Sequence, residues 1–122
     1  MRLDRAERSY LDEVNQAFEQ CCRQVIVDLD DDLCFDELLS GPLAKDLDAY
    51  DRGKITSSVY VRRICDKVIS SDVANLKKRL QVSIWSALDT SSAVLRYLNN
   101  CKQWDGSKKE ENIPLLFELL AC

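Results

Sequence analysis

The chain has 122 residues and a net charge of −4, and 46% of its residues are hydrophobic while 31% are charged. This balance is typical of an ordinary globular domain and argues against a disordered chain. Three glycines and two prolines offer few turns for a many-stranded sheet. No apolar run approaches the roughly 18 residues needed to span a bilayer. We therefore predict a single domain over residues 1–122, with no membrane association.

Seven helical patterns follow one another along this chain. Apolar residues recur every three or four positions in each pattern, and no stretch alternates with period two. In chain order the predicted helices cover residues 3–28, 32–40, 42–52, 57–70, 72–88, 91–104 and 113–120. The predicted fold class is all-α, a compact bundle of six to seven helices with a long first helix and a short apolar last helix.

Three features of the pattern carry further expectations. The first helix is long for a small domain, so we expect a bend or a projecting end. The polar segment 105–112 is predicted to be a flexible loop. The apolar helix after it would either complete the core or bind in a groove of a partner, and docking on the core is favoured.

The chain contains no histidine, which excludes Ser-His-Asp and Cys-His nucleophile pairs and His-ligated zinc. Three isolated glycines cannot form a phosphate-binding loop. The aspartate run does not fit a calcium loop, because Leu33 and Leu39 stand where that loop needs glycine and glutamate. The sequence therefore predicts no enzymatic activity, no cofactor, no metal site and no small-molecule substrate.

The six cysteines leave one alternative open, a redox or regulatory protein that works through thiols. Cys21, Cys65 and Cys101 fall on apolar helix stripes, where a free cysteine behaves as a small hydrophobe. For the vicinal pair we expect Cys21 in the core and Cys22 at its rim. Reduced thiols, and hence a location in the cytoplasm or nucleus, are favoured over a disulfide scaffold.

Charge is unevenly distributed along the chain. Residues 1–61 carry 7 basic and 14 acidic side chains, whereas residues 62–122 carry 10 and 7. An acidic cluster and two basic clusters stand out as candidate partner-binding residues. The acidic cluster is Asp28, Asp30, Asp31, Asp32, Asp36 and Glu37. The basic clusters are Arg62 with Arg63, and Lys77 with Lys78 and Arg79. Each cluster could be only a solvated helix face. The acidic cluster is denser than the capping of one short helix requires.

Residues 14–104 resemble a death-fold domain of the caspase-recruitment type in helix count and order. Leu33 followed by Leu38-Leu39 resembles the second helix of that family, and Val61-Arg62-Arg63-Ile64 lies in a stretch similar to its fourth. The resemblance implies assembly through opposed acidic and basic helix faces. The first helix is too long for the family, the last helix is additional, and Trp85 stands where a phenylalanine is usual.

The predicted function is a non-enzymatic protein–protein interaction module, a small adaptor or a subunit of a larger intracellular complex, with homotypic or heterotypic protein partners. Its charged helix faces would carry the binding. A nucleic-acid-associated role for Arg62, Arg63, Lys77, Lys78 and Arg79 is the alternative. It is less favoured because the chain is acidic and its basic clusters lack interleaved aromatic residues.

Overall fold

The structure is a computed structural model that describes residues 5–71, 73–107 and 112–120. The described residues contain no strand, which confirms the all-α fold class. Within the described part of the chain, a single 3₁₀ turn, Leu33–Phe35, lies among seven α-helices, which are α1 (Arg5–Asp30), α2 (Asp36–Ser40), α3 (Ala44–Asp51), α4 (Ser57–Ile69), α5 (Ala74–Asp89), α6 (Ser92–Asn99) and α7 (Ile113–Leu120).

The long helix α1 is the centre of the bundle, and it packs against α4, α5, α6 and α7. Its apolar stripe runs from Val14 through Phe18 to Leu29, all of them buried. Phe18 meets Phe117 of α7 edge to face, with ring centroids 5.8 Å apart. Residues 5–10 are exposed on every face. The helix therefore has the projecting end that its length predicted.

The helix ends follow the capping residues of the sequence. Thr56 and Ser91 are extended N-caps whose side chains accept the backbone N–H groups of Val59 and Val94. Such caps satisfy donors that the first helical turn leaves unpaired. Gly53 has φ 72°, the left-handed conformation that glycine adopts without a side-chain clash. The third helix, predicted to end at residue 52, ends at Asp51 just before this turn.

Two predicted helices differ from the observed ones by more than two residues at one end. The second, predicted over 32–40, is a 3₁₀ turn followed by the short helix α2, because Asp32 caps the turn through the N–H of Cys34 at 3.0 Å. The sixth, predicted over 91–104, ends at Asn99. Asparagine side chains compete for backbone hydrogen bonds, and Asn99-Asn100 ends the helix. The chain then turns, and Trp104 packs against Trp85 at 5.6 Å.

The last helix lies on the core. Ile113, Leu116, Phe117 and Leu120 are buried, and the hydroxyl of Tyr97 donates to the carbonyl oxygen of Leu119 at 3.2 Å. The predicted bounds 113–120 are confirmed, and the helix occupies the docked position rather than a free one. Half of the predicted flexible loop 105–112, residues 108–111, lies outside the described residues.

The expectation for the vicinal cysteines is wrong in part. Cys22 was expected at the rim of the core, yet it is 2% exposed and Cys21 is 6% exposed. The reason is that helices cover α1 on several sides, so neighbouring positions of the helix are both enclosed. The five described cysteines are free thiols, and Cys122 lies outside the described residues. Burial raises the pKa of Cys22, and it raises the pKa of Cys65 to about 12.

Candidate partner-binding surface

The acidic cluster lies at the corner where α1 ends and α2 begins. Asp28 and Asp30 belong to the last turn of α1, which contains no basic residue. Asp36 and Glu37 form the first turn of α2. Carboxylates suit the N-terminus of a helix and oppose the dipole at its C-terminus. Only part of the acidic cluster therefore lies where the dipole of a helix favours it. We call these four residues, together with Asp31 and Asp32, the acidic corner.

Asp32 is the residue of the acidic corner that the fold uses most. Its carboxylate accepts the N–H of Cys34 and forms an ion pair with Arg79, with 2.7 Å between Nη1 and Oδ2. The hydrogen bond from Arg79, together with that from Cys34, lowers the pKa of Asp32. One predicted basic residue is thus paired with one predicted acidic residue inside the same chain.

Acidic and basic residues meet in a groove between the end of α1 and α5. Asp28 accepts hydrogen bonds from Gln24 at 3.0 Å and from Ser83 at 3.2 Å. The groove has a volume of about 470 Å³, and its lining residues are Asp28, Asp32, Asn75, Lys78, Arg79, Val82, Ser83 and Ser86. Val82 is 60% exposed. We call this surface the charged groove.

The basic cluster of Arg62 and Arg63 does not reach the charged groove. Arg62 and Arg63 lie on α4, and Arg63 forms an ion pair with Asp46 at 2.6 Å. Arg63 lines a separate groove with Asp46, Asp66 and Lys67. The structure therefore brings Lys78 and Arg79 to the acidic corner and leaves Arg62 and Arg63 on another face.

Several predicted charges have no ion pair among the described residues. They are exposed except for Lys77, which is half-buried, and they are Asp30, Asp31, Asp36, Glu37, Arg62, Lys77 and Lys78. Their charges remain available to a partner. Asp28, Asp32, Arg63 and Arg79 are instead engaged within the fold, and a partner would have to compete for them.

An apolar groove adjoins the charged groove, and sequence reasoning missed it. Its volume is about 500 Å³, and Cys34, Glu37, Leu38, Pro42, Val73, Asn75 and Leu76 line it. Asn75 belongs to both grooves. Leu33 and Val73 are apolar residues at the start of the predicted helices 32–40 and 72–88, yet they are 81% and 50% exposed. Leu33 lies in the 3₁₀ turn, and Val73 lies just before the first residue of α5. The α-helical periodicity therefore does not extend to either residue.

A carboxylate of structural importance was also missed. Glu19 of α1 accepts hydrogen bonds from the Ser57 hydroxyl and from the backbone N–H of Ser58, the latter at 3.3 Å. Its backbone carbonyl accepts a further bond from Ser57 at 2.9 Å. Glu19 thus joins α1 to the first turn of α4, 38 residues later in the chain. No local pattern in the sequence indicates this contact.

The described residues contain no group of three or more cysteine or carboxylate side chains that could hold a metal ion. Within the same residues, no helix is long and apolar enough to cross a membrane. Comparison of the chain with protein-family models, with curated proteins and with solved structures finds no match. The resemblance to death-fold domains therefore stays a prediction.

Proposed function

We propose that this protein is a non-enzymatic protein–protein interaction module, a small adaptor or a subunit of a larger complex in the cytoplasm or nucleus. The observation that carries the proposal is the set of unpaired charges around the acidic corner, next to exposed apolar side chains. Asp30, Asp31, Asp36 and Glu37 form no ion pair within the described residues, and Leu33 is 81% exposed. Exposed apolar groups rimmed by polar ones are typical of protein interfaces.

The electrostatics of α1 support the same proposal. A carboxylate near the C-terminus of a helix lowers the stability of the fold by about 0.3–1 kcal/mol, because it lies at the negative end of the helix dipole. The last turn of α1 contains Asp28 and Asp30 with no basic residue to offset them. A basic partner surface would offset these carboxylates, and it would speed association through long-range attraction.

The two alternative functions gain less support. Of the five basic residues considered for nucleic acid, Arg63 and Arg79 lie 2.6 and 2.7 Å from aspartate oxygens, so they would have to leave those partners to reach phosphates. For thiol chemistry, burial raises the pKa of Cys22 and Cys65. A raised pKa suppresses the thiolate that such chemistry needs.

The proposal is tested by reversing charge in the acidic corner. The tagged full chain is purified from its native cell with its bound proteins, and the amount of each co-purified protein is quantified at low and high salt. We expect Asp30→Lys with Asp31→Lys to release the partner that wild type retains. In wild type, high salt should weaken retention, because exposed charges are screened beyond about 8–10 Å.

The matched control is Asp12→Lys with Glu13→Lys, which makes the same charge change at two adjacent exposed positions of α1. This variant should retain the partner. If both variants retain the same proteins as wild type at every salt concentration, the acidic corner does not bind a partner and the proposal is wrong. Binding of RNA or DNA that depends on Lys78 would favour the nucleic-acid alternative instead.

A further inference from the structure

The apolar groove has two walls of different character. Cys34 and Leu38 belong to the wall formed by the 3₁₀ turn and α2, and Val73 and Leu76 belong to the start of α5. Its volume of about 500 Å³ lies within the range of sites that enclose a ligand or an anchoring side chain. Val73 is 50% exposed. The groove therefore offers apolar surface that the fold itself leaves uncovered.

The charge of this groove selects the kind of occupant. Residues 30–40 carry five acidic side chains and no basic one, and this segment forms one wall. Arg79 neutralises Asp32, whereas Glu37 lines the groove and has no ion pair among the described residues. The lining residues from the α5 side, Val73, Asn75 and Leu76, are uncharged. A complementary ligand thus combines an apolar face with basic flanks.

The secondary structure selects the form of this ligand. The described residues contain no strand, so they present no sheet edge to which an extended peptide could add. Binding of an amphipathic helix in a groove is the recognition mode that a helical surface offers. Its apolar side chains would recur at positions i, i+3, i+4 and i+7.

We propose that the apolar groove binds an amphipathic helix of a partner protein, whose apolar stripe fills the space between α2 and α5 and whose lysines or arginines pair with Glu37 and the neighbouring carboxylates. The inference rests on the proposed function and names the class of partner segment. A second copy of the chain fits less well. A symmetric contact between two copies would bring their acidic walls together.

A helical peptide library displayed on phage tests this inference. The library fixes leucine at positions i, i+3, i+4 and i+7 and leaves the other positions free, and it is selected against the full-length protein. We expect the enriched peptides to carry lysine or arginine beside the leucine stripe. Their affinity for wild type and for two variants is then measured by fluorescence anisotropy.

The test variant is Val73→Asp, which places a charge in the groove. Val73 is the N-cap of α5 and makes no side-chain cap hydrogen bond, and aspartate is a favourable residue at that position. The variant should therefore fold, as its thermal unfolding will show. We expect peptide binding to weaken about tenfold or more, because the carboxylate would lose its hydration when the apolar stripe of the peptide covers the groove. Ile69→Asp is the matched control, since Ile69 of α4 is 53% exposed and lines neither the apolar groove nor the charged groove. It should bind as wild type does.

Several results would overturn the inference. They are the absence of enriched peptides, enrichment of acidic flanks, equal binding by Val73→Asp, and a Val73-dependent dimer that excludes the peptide. If one of these occurs while reversal of Asp30 and Asp31 still releases the cellular partner, the proposed function stands and only the groove assignment fails. If that reversal leaves the partner bound, the proposed function fails, whatever the peptides do.

Discussion

Tyr60 offers the sharpest test of the core, because its hydroxyl is buried and has no hydrogen-bond partner in the part of the chain that the structure describes. The residue is 1% exposed, and no described group lies within hydrogen-bonding distance of its oxygen. Its ring stacks on Tyr50 with 5.3 Å between centroids and 16° between planes. A buried polar group without a hydrogen bond costs about 1–3 kcal/mol of desolvation. Tyr60→Phe removes this cost and keeps the ring contacts.

We therefore expect Tyr60→Phe to be more stable than wild type at pH 7, by about 1 kcal/mol. The assay is urea unfolding with an unchanged m-value, so that a shift of the midpoint reports stability. The control is Tyr97→Phe, because the hydroxyl of Tyr97 donates to the carbonyl of Leu119 at 3.2 Å. Its loss should reduce stability by about 0.5–1.5 kcal/mol. Equal destabilisation by both variants would show that the hydroxyl of Tyr60 has a partner, and our reasoning would be refuted.

The same variant carries a pH prediction. Burial, together with the charges of Asp51, Asp46 and Asp30, raises the pKa of Tyr60 to about 12. Its ordinary value is about 10, so between pH 10 and 12 the unfolded chain binds fewer protons than the folded one. The free energy of unfolding must then fall as pH rises through this window. Tyr60→Phe should fall less steeply than wild type. Identical slopes would mean that Tyr60 ionises alike in both states.

Three further predictions concern stability, each measured by urea or thermal unfolding. Leu80 is 3% exposed, and Leu80→Ala should lower the free energy of unfolding by about 2–5 kcal/mol. An unchanged midpoint would show that the buried face of α5 is misassigned. Glu19→Ala should lower the free energy of unfolding by about 1.5–3 kcal/mol, because hydrogen bonds to a charged group are lost. The exposed control Glu13→Ala should change stability little. Equal effects would show that the hydrogen bonds of Glu19 to α4 do not stabilise the fold. Asp30→Lys with Asp31→Lys should leave stability unchanged or raise it by about 0.3–1 kcal/mol per site, and a clear loss would show that these carboxylates support the fold.

Periodicity and capping were enough to predict most of the fold. In the helix predicted over 72–88, the apolar stripe Leu76, Leu80, Ile84 and Leu88 is buried, because residues four apart lie on the same face of a helix. Thr56 caps the start of α4 through its side chain. Gly53 follows the end of α3 in a left-handed conformation that the lack of a side chain permits. These are properties of a few consecutive residues, so they can be inferred without knowledge of the packing.

The parts that could not be predicted depend on contacts between distant segments. Cys22 is buried because several helices cover α1, and Glu19 clamps a helix that begins 38 residues later. The apolar groove is lined by residues as far apart in the chain as Leu38 and Val73, and no local pattern encodes this arrangement. The ion pair between Asp32 and Arg79 likewise joins two predicted clusters that are 47 residues apart. Sequence reasoning therefore found the charged residues but not their pairing.

The acidic corner remains the feature that stability explains least. Asp32 caps a turn and pairs with Arg79, and Asp36 and Glu37 lie at a helix start that favours carboxylates. Asp30 lies instead at the end of α1, where the dipole opposes it, and it forms no ion pair within the described residues. A surface that retains such a residue bears a cost that folding does not offset. A basic partner would offset it, and the apolar groove beside the corner gives that partner a place for its anchoring side chains.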